Sequence, residues 1–149
     1  MFRLAMIVSV VAATVLAEGF TFTIGNPVAS QDFRAKGSAF VFRTENCAEG
    51  AKVEVSASAE GFLKGERKSL PLQVMAMPRP GIYAVFQGWP AEGDWVVNLK
   101  GTCADAKAGA LVPIGPKGFI RESSKVFPRP ATDKEIETSL KALRQRGKK

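Results

Sequence analysis

Residues 20–24, Phe-Thr-Phe-Thr-Ile, alternate apolar and polar side chains, the period of a strand with one buried face. The alternation returns over 52–58, where Val53, Val55 and Ala57 share a face, and over 95–100, where Trp95, Val97 and Leu99 oppose Val96, Asn98 and Lys100. Residues 38–43 are aromatic and β-branched, as strands are. Residues 70–77 read as a further strand. Its Pro71 has no N–H for a ladder, which places it at a strand start or a sheet edge. Residues 81–87 and 110–114 complete a set of seven. Turn-forming clusters separate them at Gly25-Asn26-Pro27, Ala48-Glu49-Gly50, Glu60-Gly61, 78–81, 90–94 and 105–109. Short strands at this spacing predict an all-β fold, an immunoglobulin-like antiparallel β-sandwich over residues 18–114.

The pattern changes at both ends. Leu4 to Leu16 form an apolar run of thirteen residues behind Arg3, and Val15-Leu16-Ala17 presents compact side chains where a signal peptidase reads. This predicts a signal peptide over 1–17, cleaved before Glu18. A spanning helix needs about 20 apolar residues, so no stable membrane anchor is expected after cleavage. At the other end, Pro113, Pro116, Pro128 and Pro130 predict an extended, Pro-rich basic connector over 115–131. Thr132 followed by Glu135 is a capping box, and Ile136, Leu140 and Leu143 then recur on one helical face. Residues 132–149 are thus expected to hold a short amphipathic helix and a basic terminus. So short a helix is marginal alone. It must pack on its own sandwich or on a partner.

Charge sharpens this division. From Glu18 to Ile114 there are ten Lys/Arg and ten Asp/Glu; from Gly115 to Lys149 there are ten and four, a net of +6. A neutral domain followed by a basic tail is expected to meet an unknown protein partner or an anionic envelope surface. The chain has two cysteines and no histidine. Behind an export signal, Cys47 and Cys103 are expected to form a disulfide between an early and a late strand. Its reduction is expected to weaken the domain and hardly touch the tail. The immunoglobulin signature is incomplete: no tryptophan lies between Cys47 and Trp89, and Gly101 stands where a tyrosine corner would be.

Pro80-Gly81-Ile82-Tyr83-Ala84-Val85-Phe86, followed by Gly93-Asp94-Trp95-Val96-Val97-Asn98-Leu99, has the form Pro-Gly-x-Tyr, strand, turn, Gly-x-Trp-x-Val-x-Leu. The block resembles adjacent strands of small bacterial exported sandwiches of the YtkA-like and FixH-like kind, over roughly residues 51–99. The resemblance implies a bacterial envelope or periplasmic setting. Some of those relatives are associated with copper, but a histidine-based site has no counterpart in this chain.

Little catalytic chemistry is available. A histidine-assisted serine or cysteine is excluded, and no Ser-x-x-Lys occurs. No cofactor is expected, nucleic acid is not an expected target, and the chain is read as a non-enzyme. Met75 and Met77 point to one face of a strand and could ligate Cu(I) through their thioethers, which makes periplasmic copper handling the alternative function. Trp89, before Pro90 at a turn, is expected to be exposed and to join Ile136, Leu140 and Leu143 in partner binding. The leading expectation is an exported, non-catalytic interaction or structural module of the periplasm or exterior.

Overall fold

The computed structural model describes residues 19–27 and 33–147. The expected signal peptide, Glu18 and the last two lysines lie outside the described residues. Strands β1 (Thr21–Gly25), β2 (Phe40–Glu45), β6 (Ile82–Val85) and β5 (Val74–Ala76) form one antiparallel sheet in that order. The second sheet runs β10 (Lys125–Phe127), β8 (Ala106–Gly115), β7 (Asp94–Cys103), β3 (Val53–Leu63), β4 (Glu66–Leu72), and the short β9 (Gly118–Phe119) pairs with β8. The order β1-β2-β6-β5 against β8-β7-β3-β4 matches the ABED and GFC sheets of an immunoglobulin-like sandwich with one added strand.

The alternating residues fill the space between the sheets. Phe22, Ile24, Phe40 and Phe42 from one sheet meet Ala59, Trp95, Val97, Leu99 and Val112 from the other. Phe20, Phe22 and Phe42 contact edge to face at 5.6 and 5.3 Å, and Tyr83 stacks on Phe42 at 5.2 Å. Gly101 explains the missing tyrosine corner: a Cβ there would lie 2.5 Å from Phe22 Cζ. Cys47, just after β2, is bonded to Cys103 at the end of β7, with Cα atoms 5.9 Å apart. The disulfide therefore ties one sheet to the other.

Two expected turns are strand instead. Glu60-Gly61 lies inside β3, paired with Val96 and Trp95, and the chain reverses at Lys64-Gly65 with φ of 53° and 79°. Gly61 marks a close approach: a Cβ there would fall 2.6 Å from Trp95 Cε3 and against the Asp94 carbonyl oxygen. Gly61→Ala is expected to cost about 1–3 kcal/mol by overpacking. An unchanged urea midpoint would refute that reading of Gly61. Likewise β8 begins at Ala106, and Gly109 sits within it because the backbone of residues 129–131 crosses its Cα.

The proline-punctuated segment, expected as an extended connector, is not a free one. β8 runs to Gly115, a 3-10 turn follows at Arg121–Ser123, and β10 hydrogen-bonds along β8 as the sheet edge. Helix α1 (Asp133–Gly147) then packs on the outer face of the same sheet. Ile136 and Leu140 cluster with Val96 and Leu111, flanked by Phe62, Phe127, Ala131 and Leu143. The helix thus docks on its own sandwich.

Its start is the capping box. The Glu135 N–H donates to Thr132 Oγ1 at 3.2 Å, and the Thr132 N–H donates to Glu135 Oε1 at 2.9 Å. Arg129 donates to both Glu135 oxygens, at 2.6 and 3.3 Å. Arg129 first, and then the Thr132 backbone N–H, lower the Glu135 carboxyl from its ordinary 4.5 to about 2. Its contribution is complete above its ordinary value and disappears as pH falls through about 2. The start of α1 should therefore keep its amide protection through mild acid and fray toward pH 2. A Glu135→Gln chain should lack that step; fraying at the ordinary carboxylate pH would contradict the prediction.

Candidate functional site

β7 runs from Asp94 to Cys103, so the disulfide closes one end of the sandwich and leaves Asp94 at the other. At that open end lies a cleft of about 920 Å³. Its walls come from four separate segments: Ser38 and Ala39 before β2, the connection from β6 to β7, the hairpin joining β8 to β9, and the last turn of α1. Local chemistry shapes each wall. Gly93 and Gly118 take φ of 94° and 116°, which allows the tight reversals there. The Trp95 indole N–H donates to the Glu92 carbonyl at 2.8 Å, and Gln87 Nε2 donates to the Trp89 carbonyl at 3.1 Å. These bonds fix the loop carrying Pro90 and Ala91.

The floor is apolar and the rim is charged. Trp89 and Trp95 belong to the core and line the cleft with Ile114 and Phe119; Phe119 also contacts Phe40, with ring centroids 5.7 Å apart. On the rim, Arg144 Nε lies 3.5 Å from Asp94 Oδ2, and its guanidinium covers the Phe62 ring at 4.2 Å. Arg146 bonds Glu122 at 3.2 Å and Ser123 Oγ at 3.1 Å. The Glu122 carboxyl is held below its ordinary range, first by a backbone hydrogen bond and then by Arg146. Both ion pairs are solvent-exposed, so each contributes little to stability. They link the end of α1 to the start of β7 and to the 3-10 turn.

The arrangement offers apolar contact, backbone polar groups and rim charges. Among the described residues no cluster of three histidine, cysteine or acidic side chains could hold a metal. Met75 and Met77 do share a face, as expected, on the outer side of the β1-β2-β6-β5 sheet. They pack there with Ala35, Val41, Ile82, Ala84 and Phe86, away from the cleft.

The four residues expected to bind a partner are divided. Trp89 reaches the cleft, but it is only 7 % exposed, which corrects its expected exposure. Its ring completes the sandwich core where the β6–β7 connection crosses the open end. Leu143 is half-buried and lines the same cleft. Ile136 and Leu140 are 3 % and 1 % exposed and turn toward Val96 and Leu111, so they offer a partner no surface while the helix is docked. Phe119, Ile120, Asp94 and Arg146 were not expected at a site. Nothing in their local pattern marks them, since they meet only through the fold. Compared with protein-family models, curated proteins and solved structures, the chain finds no match.

Proposed function

We propose that this protein is an exported, non-catalytic interaction module of a bacterial envelope, and that a protein partner engages it at the open end of the sandwich. The observation that carries the reading is the cleft itself: an apolar floor from the core, walls fixed by hydrogen bonds, and paired charges at the rim. Such a concave site with few polar groups is where binding is expected. The disulfide and the sequence of residues 1–17 support export. No helix among the described residues is long and apolar enough to cross a membrane. The basic excess after Gly115 supports a setting among anionic envelope components.

Photo-crosslinking in the native cells tests the site. A photoreactive side chain at Ala91, on the cleft, should trap a protein adduct; the same group at Glu49, beside the disulfide, should not. Equal adducts from both positions, or none from Ala91, would remove the cleft from the proposal.

A further inference from the structure

Beside the cleft, under α1, lies a separate cavity of about 200 Å³. It is bounded by the helix on one side and by the end of β8, the 3-10 turn and β10 on the other. Its polar lining is Ser123, Lys125, Ser139 and Arg146; Pro113 and Ile120 contribute apolar wall. Every polar side chain there can donate, and no carboxylate is part of the lining.

Ser139 is the telling residue. It is only 7 % exposed, yet its hydroxyl has no hydrogen-bond partner among the described residues. The neighbouring Thr138 does what a helical hydroxyl ordinarily does and donates to the Lys134 carbonyl four residues back, at 2.8 Å. The Ser139 hydroxyl opens onto the cavity, and an acceptor there would give it the bond that the protein does not. Lys125 makes no ion pair among the described residues. Arg146 uses donors on Ser123 and Glu122 and has others left. Glu122 is the opposing charge: it holds Arg146 from outside the lining, while Lys125 stays uncompensated.

We propose that this cavity binds a phosphoryl group, either inorganic phosphate or the headgroup of a phosphomonoester lipid. An ammonium, a guanidinium and two hydroxyls from different elements suit a tetrahedral oxyanion, which accepts in several directions at once. At about 30 Å³ per water, the volume has room for about six waters, enough for one such group. The cavity shares Ile120, Leu143 and Arg146 with the partner cleft, but Ser139 and Lys125, on which phosphoryl binding is tested, line the cavity alone.

The test uses the disulfide-bonded chain and follows backbone amides by NMR. Sodium phosphate is titrated against sodium chloride at matched ionic strength, and short-chain phosphatidic acid is titrated below its micelle concentration. Saturable shifts at Ser139 and Lys125 are expected with phosphate or with the lipid, and not with chloride. Saturation by inorganic phosphate assigns the free ion; saturation by the lipid alone assigns the headgroup. Ser139→Ala and Lys125→Gln should each weaken binding about tenfold, the scale of one lost charge-assisted hydrogen bond. Lys107→Gln, at the disulfide end, should leave it unchanged, and circular dichroism checks that each variant is folded. Shifts that fail to saturate, that chloride reproduces, or that both site variants retain at full affinity overturn the proposal.

Discussion

Removal of the Cys47–Cys103 bond, by Cys47→Ala with Cys103→Ala, is expected to cost about 4 kcal/mol in the chain-entropy account of a long closed loop. The cysteines are 56 positions apart, so the unfolded chain loses much freedom when they are joined. Domains of this class hold only about 5–15 kcal/mol in total. The melting temperature should therefore fall by roughly 15 °C. Urea unfolding of the two chains checks the figure; a difference below about 1 kcal/mol would show that the bridge constrains little. The effect should not stop at the sandwich. Cys103 and Val96 lie on the same strand, and Val96 is the seat of Ile136 and Leu140. Amides in α1 should thus lose protection together with those of β7 when the bridge is removed. That departs from the expectation that reduction would spare the tail, because the tail is a layer of the fold.

The parts of this fold that were legible in the sequence are those set by short-range periodicity. Alternation along β1, β3 and β7 marks one face of each, and those faces meet in one core. Thr132 and Glu135 announce the helix start because a cap is a local hydrogen-bonding problem. Glycine was the ambiguous letter. A turn and a close approach both need a missing Cβ, and Gly61 and Gly109 serve the second purpose. What decides between the two is a residue distant in the chain: Trp95 for one, the backbone after Arg129 for the other. The cleft was hidden for the same reason. Its walls are three separate chain segments and a helix end, each unremarkable alone. The small cavity under α1 needs both the docked helix and β10 as an edge strand, and a proline-rich segment reads as a linker until its pairing with β8 is seen. The three apolar positions of the helix were correctly grouped, but a stripe of leucine and isoleucine does not name what it packs on.

Leu140→Ala should be the most damaging single change on the helix, costing about 2–5 kcal/mol. The side chain is 1 % exposed and sits over Val96 and Leu111, so its loss leaves a void that two β-sheet residues cannot close by moving. Leu140→Met, which keeps most of the volume, should cost less than about 1.5 kcal/mol. Urea unfolding followed by far-ultraviolet circular dichroism measures both, and equal effects from the two substitutions would place Leu140 outside the core. Leu143 makes the contrast that separates structure from binding. It shares the helix face, yet it is only half-buried and borders both the cleft and the smaller cavity. Leu143→Ala should cost less stability than Leu140→Ala while removing more of the adduct trapped from Ala91. A helix that served only to bind a partner would give the opposite order, because its deepest leucine would then be the one that a partner covers.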